Sequence, residues 1–375
     1  MIIYCITFIL SLLIYITVSK GKISKKIIIK DTKHNHYKIN RVSIAILLSA
    51  LPPMFISAVR YYVGTDYLVT YYTGFYRILD GSRVDGFEFG YYWLNRIIQM
   101  VTDNVFVLFA ITSIIFIAVV YKGIEESSID IPYSIMMFMF SRYYFIGMNG
   151  IRQFIAIAIL TYSIKYIVEK NSKKFIICMI FAVSFHYASV LFIPVYFIGR
   201  FYMTKVRFIV ITAIDIVFFS LGVNIIFRIL KSTKYGLLLE KYNVCGLNFT
   251  IFTIALNAFL LYTALENYSI RKEDEKYRVY SNIQFFAFLL SLVLRSIPLM
   301  ERVYWIFSFP IIISVPYFMI GKKKTRRRIE KSVIAIVFFV YMIYDIVILN
   351  DHNVLPYQWI FGKLAIHNSG WIWYR

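Results

Sequence analysis

Apolar residues run through this chain in blocks of roughly 17–20, each long enough to cross the hydrocarbon core of a bilayer as a helix. The blocks fall at 2–18, 42–59, 104–121, 131–147, 151–168, 175–186, 188–199, 208–224, 250–266, 279–297, 303–320 and 332–349. The alternation of single apolar and polar residues that marks a membrane barrel does not dominate anywhere. A chain this apolar is solvated by lipid, and lipid forces the backbone to satisfy its own hydrogen bonds in helices. The pattern predicts an all-α polytopic membrane protein with about 12 transmembrane segments, built as a single transmembrane domain over 1–375.

The polar punctuation orients these blocks. Most of the 41 Lys and Arg gather at 20–41, 122–131, 165–174, 200–207, 266–278 and 321–331. The positive-inside rule assigns such loops to the cytoplasmic side. The alternation holds if 175–199 is a hairpin of two half-spans broken near Phe185-His186-Tyr187. The alternative, one long tilted helix, places the basic run Lys322–Arg328 outside. With the hairpin, both termini lie on the non-cytoplasmic side. Met1 enters the first block with no basic lead and no small-residue cleavage site, so that block reads as a span.

Composition agrees. The chain is 60% apolar and 16% charged, against about 25% charged in soluble proteins. The net charge of +21 sits in short loops that meet anionic lipid. No basic stripe belongs to a soluble domain, so nucleic acid is not an expected partner. The 3 Cys form no CxxC pair, and no His-rich cluster exists; neither a disulfide framework nor a metal or other cofactor is expected. GxSxG, HExxH, Walker and dinucleotide-binding motifs are absent.

The outer loop 60–103 is crowded with aromatics, and its stretches 67–79 and 88–100 read as short interfacial helices. Such rings form an interfacial belt. They also offer flat faces to sugars, which makes Tyr61, Tyr62, Tyr72 and Tyr91, with Glu88, the sugar-contact candidates.

Ionisable groups at span ends cost up to about 2.5–3.5 kcal/mol each near a helix centre, and several share one outer level. Arg60 ends the second block. Arg152 opens the fifth, after Asn149, which can cap that helix, and Gly150, and before Gln153. His186 sits at the hairpin tip. Arg295 and Arg302 flank the turn at Pro298, with Glu301 alongside. A lone Arg there usually snorkels to headgroups and a lone His is usually structural; convergence on one face points further. Arginine keeps its charge and grips phosphate oxygens with two N–H groups, so the set suggests an anionic, lipid-linked substrate. Arg142 and Asp215 lie deeper and read as a structural ion pair or as separate pore-facing groups. Asp66, Asp85 and Glu88 are outer-loop carboxylates.

These residues also carry a resemblance. Arg60-Tyr61-Tyr62-Val63-Gly64-Thr65-Asp66, Tyr71-Tyr72 and Glu88-Phe89-Gly90-Tyr91 resemble the first half of the EpsG-type family of Wzy-like polysaccharide polymerases. Asn149-Gly150-Ile151-Arg152-Gln153-Phe154-Ile155-Ala156 resembles its most recognisable stretch. Phe185-His186-Tyr187-Ala188-Ser189, Glu301-Arg302-Val303-Tyr304-Trp305 and Pro356-Tyr357-Gln358-Trp359-Ile360-Phe361 are similar to its later segments. Tyr187-Ala188 departs from the small or hydroxyl residue that often follows the His.

The resemblance implies a GT-C-like membrane glycosyltransferase architecture without nucleotide sugar or obligatory metal. It implies transfer of a glycan from undecaprenyl diphosphate to a lipid-linked repeat unit at the outer face of the bacterial plasma membrane. A chain-length regulator and a flippase of the same pathway are the implied protein partners. On that reading His186, Arg152 and Asp66 are the catalytic candidates, with His186 the first choice of base and Asp66 the second. Arg60, Arg152, Arg295, Arg302, Asn149 and Gln153 are the diphosphate-binding candidates. The rival functions are a lipid-linked oligosaccharide flippase or transporter, a membrane O-acyltransferase acting on surface glycan, and an interaction-only scaffold.

Overall fold

The structure, a computed structural model, describes residues 1–20, 41–82, 84, 86–218, 245–296 and 298–362. Most of the basic loop 20–41, Asp85, and most of the stretch 219–249 lie outside the described residues. Among the described residues there is no β-strand, and helices account for nearly all regular structure.

The chain forms two compact units, one of residues 1–162, 180–187 and 324 onward, the other of 163–179 and 188–323. The first unit begins with α1 (Ile2–Ser19) and α2 (Arg41–Ala58). A π-helical turn Tyr67–Tyr72, α3 (Thr73–Leu79) and α4 (Phe89–Gln99) follow. Then come α5 (Val105–Ser127), α6 (Ile131–Phe140), α7 (Tyr143–Asn149) and α8 (Ile151–Val168). The short helices coincide with the helical stretches the aromatic loop predicts at 67–79 and 88–100.

Aromatic rings set edge to face fill the core of this unit. Tyr4 meets Phe145 at 5.0 Å and Phe8 meets Tyr144 at 4.9 Å between centroids. Such pairs add about 0.5–1.5 kcal/mol to plain burial. The hydroxyls buried between helices are satisfied locally: Ser11 Oγ donates to the Ser49 carbonyl and lies 2.8 Å from the Tyr121 hydroxyl. Local chemistry sets the starts of α5 and α6. Asn104 accepts from the Phe106 amide, and Asp130 accepts from Tyr133 ahead of Pro132.

The expected span 131–147 is interrupted. Arg142 takes a left-handed backbone (φ 62°) between α6 and α7, which turns its side chain off the helix ridge. Its Nη1 lies 2.8 Å from Asp345 Oδ1, both side chains being at most 5% exposed. The guanidinium also covers the Tyr341 ring at 4.3 Å. Of the two readings for Arg142 and Asp215, a structural ion pair or separate groups, Arg142 does form a buried ion pair, but with Asp345. Asp345 comes from the π-helical turn Ile343–Leu349 that ends the last long helix.

A second break falls at His186. The helix α9 (Ser172–Phe185) stops one residue before it, and a 3-10 segment, Tyr187–Phe192, starts one residue after.

In the second unit α10 (Val195–Ile198) is followed by α11 (Lys205–Val217), α12 (Leu247–Leu265), α13 (Tyr268–Arg271) and α14 (Glu275–Leu292). The block 303–320 is split into α15 (Met300–Ser308) and α16 (Ile311–Phe318) at Pro310, which has no N–H to continue the ladder. Asn257 Nδ2 donates to the Tyr304 hydroxyl at 2.8 Å and Gln284 Nε2 to Asn257 Oδ1 at 3.0 Å, a satisfied polar network inside an apolar bundle. The chain returns to the first unit through α17 (Lys324–Met342).

Among the described residues, five helices are long and apolar enough to cross a membrane: Ile2–Ser19, Val105–Ser127, Ile151–Val168, Leu247–Leu265 and Lys324–Leu349. Shorter apolar helices, including Val42–Ala58 and Ile131–Phe140, lie between them.

Candidate active site

In the first unit the segment after α2 is held by the chain's far end. Val59 and Tyr61 exchange backbone hydrogen bonds with Ile360 and Gln358 across an antiparallel bridge of Arg60 and Trp359. The Tyr357 hydroxyl donates to the Ile56 carbonyl and the Tyr4 hydroxyl to that of Val354. Asn350 braces the tail by accepting from the Val354 and Leu355 amides.

Arg60 is only 1% exposed. Its guanidinium donates to Ser57 and Ser113 and to the Met148 carbonyl at 3.3 Å, and lies over the Phe109 ring at 5.1 Å. No carboxylate among the described residues pairs with it. This diphosphate-contact candidate is enclosed and ties the segment after α2 to the end of α7.

Asn149 closes α7 but does not cap α8. Its Oδ1 accepts from Thr65 Oγ1 at 3.1 Å and from the Asp66 amide at 2.9 Å. With two donors on the oxygen, Nδ2 is the atom that faces His352 Nδ1, 3.3 Å away. Gly64 makes this possible. Its φ is +111°, and a Cβ there would lie 3.2 Å from Asn149 Cα.

One turn further on, Arg152 meets Glu88. Nη1 of Arg152 donates to Glu88 Oε2 and, at 2.5 Å, to the Gly86 carbonyl. The other oxygen of the same carboxylate, Oε1, accepts from His186 Nδ1 at 3.2 Å. Glu88 occupies the N-cap position of α4, yet its side chain makes no cap hydrogen bond; it is turned toward Arg152 and His186. Gly90 permits the approach: a Cβ there would lie 2.4 Å from Ser184 Oγ, two residues before His186. Gly74 leaves room for the Phe87 ring, which carries the Arg152 guanidinium at 5.0 Å.

Electrostatics follow from this geometry. Burial pushes the Glu88 carboxyl up, but the His186 hydrogen bond and the Arg152 guanidinium prevail and hold it below the usual carboxylate range. Burial raises the Tyr71 hydroxyl, with Arg152 opposing and Asp66 adding to the rise, so Tyr71 stands within the field of both. The Asp66 carboxylate takes no hydrogen bond and forms no ion pair among the described residues.

A family model, the EpsG family, matches residues 43–359. The chain belongs to the EpsG family. No curated protein and no solved structure matches it. The EpsG family is one of Wzy-like polysaccharide polymerases, so this EpsG chain is a membrane protein of polysaccharide biosynthesis.

The EpsG match begins at the start of α2 and ends at Trp359, the residue bridged to Arg60. Within it the structure joins Arg152, His186 and Glu88, and separately Asn149 with Thr65 and Asp66. Gln153 is buried beside Arg152 in sequence, at 5% exposure. Arg295 and Arg302 stand in the second unit, so the first-unit cluster is built without them.

Among the sugar-contact candidates only Tyr62, 44% exposed, and Tyr72 reach the surface; Tyr61 and Tyr91 are 3% and 0% exposed. Glu88, a sugar-contact candidate, is 4% exposed and bridges a cation and an imidazole. His352 escaped the sequence reading, since a histidine in a polar tail carries no spacing signal. Glu88 gave one: a glutamate opening an amphipathic helix is unusual at an N-cap, where the shorter Ser, Thr, Asp and Asn prevail.

Proposed function

We propose that this chain polymerises surface polysaccharide by transferring a glycan from undecaprenyl diphosphate to a lipid-linked repeat unit at the outer face of the bacterial plasma membrane. The observation that carries the reading is Glu88 bridging His186 Nδ1 and Arg152.

In this reading His186 donates Nδ1–H to Glu88, which leaves Nε2 as the proton acceptor. The acceptor sugar's hydroxyl oxygen attacks the donor's anomeric carbon. Its proton passes to His186 Nε2 as the bond from that carbon to the diphosphate oxygen breaks, and undecaprenyl diphosphate leaves with the electron pair. Arg152 lies 19% exposed, so its outer edge faces the developing charge while Glu88 and Phe87 hold its inner edge. One such positioned donor contributes about 10²–10³ in rate. Asp66 is the second candidate base, its carboxylate being uncommitted. Arg60 acts through position, by fixing Met148 ahead of Asn149 and Arg152.

The apolar face of α4 supports an interfacial setting. Phe89, Trp93, Ile97 and Met100 are 68%, 45%, 57% and 75% exposed, a stripe suited to the headgroup boundary. With it go about 12 spans in one GT-C-like transmembrane domain, both termini outside, and a chain-length regulator and flippase as pathway partners.

The test is a strain deleted for this gene and complemented with His186→Ala. Polymer is lost, single repeat units accumulate on the lipid outside, and the protein remains in the membrane. Full-length polymer refutes the assignment of the base. Stalling of the units on the inner face in the deletion strain supports a flippase instead.

A further inference from the structure

The second unit holds a groove of about 730 Å³ lined by Tyr202, Met203, Thr204, Phe208, Ile209, Leu265, Tyr268, Ser269 and Lys272. It has two chemically distinct ends. Phe208 and Leu265 pack against the buried cluster of Leu261, Phe285 and Leu289, and Ile209 beside them is 65% exposed. This end is a hydrocarbon slot along α11 and the last turn of α12.

The other end is cationic. Lys272 is exposed and its ammonium has no partner among the described residues. Arg207 spends one Nη1 bond on the Tyr202 carbonyl at 2.8 Å and forms no ion pair there. Arg278 is only 7% exposed, lies over the Tyr202 ring at 4.4 Å, and donates to the Lys272 carbonyl. Its Nε has no partner, and no carboxylate among the described residues pairs with it. A buried guanidinium without a counter-charge is unfavourable unless an anion completes its surroundings.

Of the neighbouring acids, Asp274 pairs with Arg271 and Glu275 with Lys170, while Glu273 accepts from the hydroxyl of Tyr202 at the groove itself. Tyr268 fixes the floor, its hydroxyl accepting from the Met203 amide at 2.8 Å. Arg278 over the Tyr202 ring, Arg207 on the Tyr202 carbonyl and Lys272 in the same groove, beside an apolar slot, match one kind of molecule: a phosphate carried on an acyl chain. Both loops that supply them, 200–207 and 266–278, are among those the Lys and Arg bias assigns to the cytoplasmic side, where anionic lipids concentrate.

We propose that this groove binds an anionic glycerophospholipid, its phosphate against Lys272, Arg207 and Arg278 and one acyl chain along Phe208, Ile209 and Leu265. The site shares no residue with the Arg152–Glu88–His186 cluster and does not depend on its chemistry.

The experiment uses the full chain in nanodiscs of equal phosphatidylglycerol and phosphatidylcholine, released into native mass spectrometry. The unaltered protein retains one phosphatidylglycerol in preference to phosphatidylcholine. The double variant Lys272→Gln/Arg207→Gln, altered only at exposed positions, loses that preference by about thirtyfold, as expected for two cations near a lipid phosphate. Ile209→Trp, which fills the slot, lowers retention while leaving the cations in place. Glycerol phosphate, lacking chains, fails to compete. Equal retention of the two lipids, an unchanged preference in the double variant, or full competition by glycerol phosphate overturns the proposal.

Discussion

Glu88 Oε1 lies 3.2 Å from His186 Nδ1, while Oε2 of the same carboxylate accepts from Arg152. A single side chain thus orients an imidazole and anchors a guanidinium that are far apart in sequence. The His186 hydrogen bond and the Arg152 guanidinium together hold the acid below the usual carboxylate range.

Glu88→Gln keeps the shape and removes the charge. The amide cannot enforce the tautomer that leaves Nε2 open, and Arg152 loses its counter-charge. Polymer synthesis falls about 10²-fold or more, on the scale of losing one electrostatic donor, with unchanged protein in the membrane. Glycan chain analysis of complemented strains checks this.

The same carboxylate gives a pH signature. Its folded-state value lies below the unfolded one, so its contribution is complete above the unfolded range near about 4.3. It is lost as pH falls through the depressed value. The melting difference between unaltered protein and Glu88→Gln, measured in detergent, closes as pH falls through that depressed value.

Arg152→Lys preserves a positive charge but not the planar group that lies over Phe87 while reaching Gly86 and Glu88. A point charge on a flexible stem cannot repeat those contacts. The variant makes no polymer above the His186→Ala level, and lipid-linked single units accumulate.

Gly90→Ala is a test of geometry. The new methyl would lie 2.4 Å from Ser184 Oγ and 2.9 Å from the Ser184 carbonyl oxygen. A side chain can rotate away, but the carbonyl cannot, so α4 must shift. Overpacking of this kind costs about 1–3 kcal/mol and displaces Glu88 from His186. Activity falls further than stability does, read by polymer yield against thermal unfolding.

Arg142→Met leaves Asp345 buried without its cation, and destabilises the fold by about 3–5 kcal/mol. Replacing both, with Asp345→Leu, recovers most of that loss, because an apolar pair needs no desolvation of charge. Thermal unfolding of the single and double variants checks the order.

Periodicity and composition determined that the chain is helical and lipid-solvated, because both follow from local apolar runs. They also marked the aromatic loop as helical and placed a helix break at His186, where the structure ends α9 at Phe185. Arg152 and His186 were legible as candidates because ionisable groups at span ends are costly. Their joining through Glu88 was not. The partner arrives from residues far away in the chain, and Gly90 and Gly74 permit the contact only once α4, α8 and α9 are packed.

Tertiary structure alone decided the fates of Arg60, Arg142 and His352. Burial sets Arg60, a diphosphate-contact candidate, against the Met148 carbonyl. A left-handed residue aimed Arg142 at Asp345, a partner no spacing rule could name. The tail's bridge from Trp359 to Arg60 carried His352 to Asn149. Sequence sets which residues are costly to bury; only the packed chain sets which groups share that burial.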